Sequence, residues 1–185
     1  DRTTRFGAPD VLLHDLRWIS DRTEDERRAT VRGTVTWRKK GEGFFLQRGL
    51  SCAWIQCTEA ILPNPGDRIE CSGIAGAYHA GGVLLSALWR PSNESLGPVS
   101  PSEPQPGELS SDEVHGRLSL LKGTVVQSFR NPREDIIVLS LGDSLFTAHL
   151  PLAEDQQEPP FIRNGARLEV TGIALNRPSP AFELW

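Results

Sequence analysis

Apolar and polar residues alternate over short stretches of this chain, a pattern typical of half-buried β-strands. Between residues 29 and 90 the pattern predicts five strands separated by turn residues. The predicted strands are Thr30–Arg38, Phe44–Gln47, Ala53–Cys57, Arg68–Ala75 and Val83–Trp89. Five short strands with little room for helices predict a small antiparallel barrel or sandwich. The long first strand, which contains Gly33, favours the barrel because one strand must bend to serve both sides.

The chain repeats itself after about a hundred residues. The segment Gly66–Ala75, with the sequence GDRIECSGIA, returns at Gly165–Ala174 as GARLEVTGIA, and six of the ten positions are identical. In the same order, Leu121–Val125 matches Val31–Val35, each with a central Gly-Thr pair. A repeat of this length predicts two small domains with the same fold rather than one large domain.

The remaining segments complete an all-β chain of two tandem small five-stranded barrels. Residues 1–28 are expected to form an N-terminal arm with short helices, because apolar residues from Val11 to Ile19 recur at helical spacing. Barrel 1 is expected over residues 29–90 and barrel 2 over residues 114–185. Between them, residues 91–113 are rich in proline and predict an extended linker that buries little apolar surface.

Composition and charge narrow the function only in part. The formal net charge of −4 is unfavourable for a nucleic-acid-binding protein, which usually carries a basic surplus. The chain contains no methionine, so we expect a processed chain or an excerpt of a longer protein. Cys52, Cys57 and Cys71 are odd in number and lack the spacing of zinc or redox motifs. Structural thiols are therefore favoured over one disulfide or a metal site.

No sequence pattern typical of catalysis is present. The four histidines, at positions 14, 79, 115 and 149, have no metal-ligand spacing and stand beside no catalytic motif. The glycines form no phosphate-binding loop, and no serine lies in a nucleophile elbow. We therefore predict that this chain is not an enzyme and has no catalytic residues, no metal site and no cofactor.

Three segments in order, VRGTVTW, GFFLQRGLSCAWIQC and PGDRIECSGIAG, resemble the tandem OB-fold units in the extracytoplasmic sensor regions of bacterial (hybrid) sensor histidine kinases. The arm Leu12–Arg28 and the proline-rich linker are also similar to parts of those regions, so the resemblance covers nearly the whole chain. It departs at Arg48, where the family's hairpin carries an acid, and at Cys52-Ala53, which replace a glycine pair. The resemblance implies OB-like barrels and a periplasmic sensor or scaffold role in a two-component signal transduction system.

Candidate ligand-binding residues are concentrated in barrel 1, since OB barrels use stacked aromatic side chains and basic loops to bind single-stranded nucleic acid or oligosaccharide. The candidates are Trp37, Arg38, Lys39, Lys40, Arg48, Trp54, Tyr78 and His79. For Trp37 the alternation favours a core position beside Val35. Trp54 is expected on the face opposite Ile55, where packing against the second barrel or the arm is favoured over ligand binding. The two lysines are more typical of a solvated hairpin tip.

Two functions remain open at this point. The resemblance implies a non-enzymatic sensor region whose partner is an unknown small molecule, sugar or protein. It also implies dimerisation through the parent kinase and contact with a membrane only through segments outside this chain. The alternative is a cytoplasmic tandem OB-fold protein that binds single-stranded nucleic acid, or an oligosaccharide-binding module. Nucleic acid is the less favoured partner, because the net charge is negative and Thr147 and His149 replace Trp54 and Gln56 in the second repeat. The second barrel is expected to pack on the first.

Overall fold

The computed structural model describes residues 6–19, 23, 27–78, 81–109, 111–132, 134–151, 162–175 and 182–184. The chain forms two compact units, the first containing residues 1–100 and 116–118 and the second containing residues 101–115 and 119–185. Most described residues belong to β-strands, which confirms the all-β prediction. Across the described ranges, no helix is long and apolar enough to cross a membrane.

Barrel 1 is a closed five-stranded sheet. Its strands are β1 (Arg28–Lys39), β2 (Gly43–Arg48), β3 (Ser51–Gln56), β4 (Arg68–Tyr78) and β5 (Gly81–Pro91). They follow the order β1-β2-β3-β5-β4 around the barrel, and β3 and β5 run parallel. The first strand serves both sides, because Thr34 pairs with Gln47 on β2 and with Arg68 on β4. This order and the long shared strand are those of the OB fold.

The interior of barrel 1 is filled by the inward positions of all five strands. Its largest fully buried side chains are Val31, Phe44, Leu46, Ile55, Ile69 and Leu84. A 3-10 helix, Leu13–Ile19, adds the buried side chains of Leu13 and Leu16. The helix is shorter than the arm pattern predicts, since Asp10 instead forms a parallel bridge with Thr30. Of residues 20–26 of the arm, only residue 23 is among the described residues.

Barrel 2 repeats this topology. Its strands are β6 (Leu118–Arg130), β7 (Glu134–Leu141), β8 (Ser144–Pro151), β9 (Arg167–Leu175) and β10 (Phe182–Leu184). The order β10-β8-β7-β6-β9 corresponds to that of barrel 1, with β10 parallel to β8. The turn before β9 also repeats, since Gly165 N–H donates to the carbonyl of Val125 as Gly66 N–H does to the carbonyl of Val35. The sequence repeat therefore specifies one fold twice.

The proline-rich segment differs from the predicted linker. Leu96 is buried in the first unit, while Leu109 and Val114 are buried in the core of the second. In the second unit, Ser102 forms a bridge with Ser119. Leu96 and Leu109 are thus buried although both lie within the predicted linker, residues 91–113.

Candidate functional site

Three aromatic side chains form a cluster on the outer face of β1, β2 and β3. Phe45 and Trp54 are directly paired across β2 and β3, with ring centroids 5.0 Å apart in an edge-to-face arrangement. The Trp37 ring lies 6.3 Å from each of the other two. Phe45 is buried, whereas both tryptophans are half-buried and present indole surface to solvent. We call these three residues the aromatic cluster.

A β-bulge at Thr36 brings Trp37 into the aromatic cluster. Val35 pairs with Leu46 and Trp37 pairs with Phe45, so Thr36 is an extra residue on β1. One extra residue reverses the alternation of faces beyond it. Val35 is therefore buried in the barrel while Trp37 faces outward. The prediction that Trp37 belongs to the core is wrong, because it assumes an uninterrupted period of two.

The position of the Trp54 ring depends on Gly43 at the start of β2. Gly43 has a φ of +149°, a conformation that only glycine adopts readily. A Cβ atom at this position would lie 2.0 Å from the carbonyl oxygen of Ile55 and 3.0 Å from Cζ2 of Trp54. Trp54 thus lies close against the backbone of β2. Ile55 is fully buried, which confirms that the two residues occupy opposite faces of β3.

Lysine side chains border the aromatic cluster at the β1–β2 turn. Lys39 follows the outward alternation of Trp37, and its Nζ lies 2.8 Å from Oε1 of Glu42. Lys40 is exposed in the turn itself. Arg38 lies on the other side of β1, where its Nη1 donates to the carbonyls of Leu62 and Pro63. The two lysines therefore border the face, whereas Arg38 holds a neighbouring loop.

The other end of the face is covered by residues of the same unit, Gly116–Leu118, which we call the capping segment. Gly116 has a φ of +80° and packs on β2 and β3. A Cβ atom there would lie 3.0 Å from Sγ of Cys52 and 3.1 Å from Cε1 of Phe45. Burial raises the pKa of the Cys52 thiol to about 12, and the positive charge of Arg117 acts in the opposite direction. The thiol is therefore protonated at neutral pH.

Hydrogen bonds from Leu118 and Arg117 fix the capping segment in place. The backbone N–H of Leu118 donates to Oε1 of Gln47 over 2.8 Å, and Nε2 of Gln47 donates to the carbonyl of Gly49. Gln47 is only 2% exposed, so its amide is committed to these two partners. Nε of Arg117 donates to the carbonyl of Leu50 over 2.8 Å. A guanidinium group thereby lies at the β2–β3 end of the face.

The remaining candidates are Arg48, Tyr78 and His79. Arg48 lies at the end of β2, where its Nη2 forms an ion pair with Oε1 of Glu94 over 2.7 Å. Tyr78 ends β4 and its backbone pairs with Gly81, but its side chain and the whole of His79 lie outside the described residues. The structure therefore brings together Trp37, Trp54 and the two lysines.

A separate groove of about 630 Å³ lies over the junction of β1, β4 and β5. At its base the buried carboxylate of Glu70 accepts hydrogen bonds from Arg32 and Arg90, over 2.7 and 2.6 Å. Arg32 also donates to Asp10. Each charge thus has an opposite charge beside it, so we assign this cluster to the stability of barrel 1.

Among the described residues, the other reactive side chains form no second site. All three cysteines are thiols without a disulfide, and Cys71 is fully buried among the inward residues of β4, as the alternation predicts. His149 contacts Glu134, with Nδ1 3.0 Å from Oε2. Within the described ranges, no group of three or more His, Cys, Asp or Glu residues is placed to hold a metal ion.

Comparison with known proteins finds neither a matching family model nor a matching curated protein. Among solved structures, a murine DNA-binding protein bound to double-stranded DNA is similar at 8% identity, over 83% of this chain and 92% of that one, with a TM-score of 0.45. The Ifi202 HINa domain in complex with 20-bp double-stranded DNA is similar at 8% identity, over 84% and 91%, with a TM-score of 0.39.

A protein described as an aspartyl-tRNA synthetase from Leishmania major is similar at 17% identity over 51% of this chain, with a TM-score of 0.36. This chain spans only 21% of that protein's length. Nothing in these comparisons specifically supports a histidine kinase sensor region. Similarity at this level establishes neither a family nor a function.

Proposed function

We propose that this chain is a non-enzymatic tandem OB-fold protein whose barrel 1 binds single-stranded nucleic acid on the outer face of β1, β2 and β3. The observation that carries the proposal is the aromatic cluster. Two half-buried tryptophans supported by Phe45 present ring surface on the face that OB folds use for ligands. Unpaired bases stack on such rings, and each stacked base contributes about 1–3 kcal/mol of binding free energy.

The charges that border the cluster favour nucleic acid over a neutral sugar. Lys39 and Lys40 are exposed at the β1–β2 turn, beside the outward face of Trp37. A nucleotide stacked on the cluster carries a phosphate next to its base, and ammonium groups attract phosphates. Bases within a duplex are already stacked on one another, so stacking on protein rings requires a single strand.

The charge of the binding face differs from the charge of the whole chain. The net charge of −4 belongs to the whole chain, whereas the β1–β2 turn carries two lysines and one glutamate, Glu42. The second barrel lacks aromatic residues at the equivalent positions, so we propose that only barrel 1 stacks bases. Under this proposal the protein is cytoplasmic. The periplasmic location and sensor kinase role implied by the resemblance, and the packing of one barrel on the other, remain predictions.

Fluorescence anisotropy with a labelled single-stranded oligonucleotide tests the proposal. We expect micromolar binding at about 50 mM salt that weakens clearly by about 200 mM. Four of the five tryptophans, at positions 18, 37, 54 and 89, lie in the first unit, so binding should also quench tryptophan emission. No anisotropy change at high micromolar protein would reject the proposal. Quenching by a neutral oligosaccharide without oligonucleotide binding would favour the sugar-binding alternative instead.

A further inference from the structure

We infer that the capping segment is part of the nucleic-acid-binding face and that Arg117 contacts a phosphate of the bound strand. The inference rests on the proposed function of barrel 1. It adds a residue that is about 60 positions from Trp54 in sequence and lies outside the five strands of the barrel. It also makes the site dependent on two separate parts of the chain.

The capping segment packs tightly against the outer face of β2 and β3. Gly116 lies against Cys52 and Phe45, at a distance that leaves no room for a Cβ atom and in a backbone conformation that favours glycine. Phe45 therefore contacts both tryptophan rings and Gly116. The capping segment and the aromatic cluster share Phe45 as a common support, which makes one continuous surface of them.

The buried side-chain amide of Gln47 fixes the capping segment against β2. Its oxygen accepts from Leu118 N–H and its nitrogen donates to the carbonyl of Gly49. A buried amide with both ends bonded resists displacement, because removal of either partner leaves an unsatisfied polar group. The backbone on either side of Arg117 is thus fixed before any ligand binds, which lowers the entropic cost of using this residue.

Cationic side chains lie at both ends of the aromatic cluster. Along β2, the distance from Gly43 at the lysine end to Arg48 at the capping end is five residues, or about 17 Å. Lys39 and Lys40 lie at one end of this face and Arg117 at the other. A base stacked on the cluster has a phosphate on each side of its sugar, so cations on both sides match the charge pattern of a single strand.

An arginine suits this position better than a lysine. A guanidinium has five donors in a planar arrangement, so Arg117 can donate from Nε to the Leu50 carbonyl and from another nitrogen to a phosphate. A lysine would preserve the charge but could not reproduce that geometry. Charge and geometry can therefore be separated by substitution.

The test measures oligonucleotide affinity against salt concentration for Arg117→Ala, Arg117→Lys and a control, Arg163→Ala. Arg163 is an exposed arginine of the second unit, so its removal changes the net charge equally. We expect Arg117→Ala to bind about tenfold more weakly at low salt, with the slope of log K against log salt reduced by about 0.7. Arg117→Lys should retain the wild-type slope, and Arg163→Ala should match the wild type.

Three results would overturn the inference. Wild-type affinity and slope for Arg117→Ala would exclude a phosphate contact. Equal weakening of both Arg117 variants with an unchanged slope would assign the residue a purely structural role. Loss of slope in Arg163→Ala equal to that in Arg117→Ala would reduce the effect to net charge. In all three cases the wild type still binds, whereas absence of wild-type binding would overturn the proposed function as well.

Discussion

The two barrels have the same strand topology and differ in the side chains of their outer faces. Both carry the same bulge, since Thr36 is the extra residue in β1 and Val126 is the extra residue in β6. Because the registers match, the positions can be compared directly. The equivalent pairs on the outer face are Trp37 and Gln127, Phe45 and Val138, and Trp54 and Thr147. The bulge therefore belongs to the fold, and only the side chains on it distinguish a candidate binding face.

The difference extends to the residue beneath the tryptophan. Where barrel 1 has Gly43, the register places Ile136 in barrel 2. The φ of Gly43 and its contact with Trp54 belong together, since the ring occupies the space that a side chain would need. Barrel 2 has a side chain at this position and Thr147 in place of the indole. The aromatic face is thus a coordinated set of residues rather than a single substitution.

The two barrels also differ in the charged residues at their first hairpin turn. At the β6–β7 turn, Arg130 forms a bidentate pair with the buried carboxylate of Asp135, over 2.6 and 2.7 Å. The equivalent turn of barrel 1 has Lys40 and Glu42, both exposed. Barrel 2 therefore uses this turn to hold its hairpin together, whereas the charges at the turn of barrel 1, including the Lys39–Glu42 ion pair, are exposed to solvent. Of these two turns, only that of barrel 1 has exposed cations that an external phosphate can contact.

The largest effect is expected from Gly43→Ala. Because the new Cβ would meet the Ile55 carbonyl at 2.0 Å, the strands must separate, and we expect a loss of about 3 kcal/mol in the free energy of unfolding. Gly41→Ala is the matched control: its φ is +80° but no atom lies within 4 Å of the Cβ position, so we expect about 1 kcal/mol. Urea unfolding followed by tryptophan fluorescence measures both. Equal losses would contradict a role for crowding.

The alternation of apolar and polar residues predicts the positions of some of these side chains and not of others. Alternation is enough to place Trp54 opposite Ile55 and to bury Cys71, because β3 and β4 are regular at those points. It fails for Trp37, since a bulge leaves no mark in a period-two pattern. Phe45 could have been found, because three consecutive apolar residues at Phe44–Leu46 require both faces of β2 to be covered.

Two further features depend on contacts between distant parts of the chain. The capping segment is held through Gln47, 71 residues away from Leu118, and no local pattern predicts that pairing. Glu70 sits at an outward position of β4, where alternation predicts solvent exposure. It is buried instead because Arg32 and Arg90 approach from the neighbouring strands. Tertiary packing, rather than strand propensity, determines both.

An intermediate effect is expected from Asp135→Asn in barrel 2. The hydrogen bonds from Arg130 hold the pKa of Asp135 below its ordinary value of 3.8. Because its pKa is lowered in the folded state, the carboxylate stabilises the fold at pH values above 3.8. This contribution is lost as the pH falls below 3.8 toward the lowered pKa. We expect Asp135→Asn to cost about 2 kcal/mol at neutral pH. Urea unfolding followed by circular dichroism from about pH 7 to pH 3 measures the difference from the wild type.

Glu42→Gln at the equivalent turn of barrel 1 serves as its control. Because Glu42 is exposed, we expect no measurable change in stability at any of these pH values. The Asp135→Asn difference should stay constant over the upper part of the range and shrink below pH 3.8. A difference that is independent of pH would show that the ion pair does not account for the effect.

The central claim is that barrel 1 binds single-stranded nucleic acid through its aromatic cluster and barrel 2 does not. Its most direct test is the dissociation constant of a labelled single-stranded oligonucleotide for Trp54→Ala and Thr147→Ala, measured by anisotropy beside the wild type. The two positions are equivalent in register, and both are half-buried on the outer face. We predict about tenfold weaker binding for Trp54→Ala and no change for Thr147→Ala. Wild-type affinity for Trp54→Ala, or an equal loss in both variants, would contradict the claim.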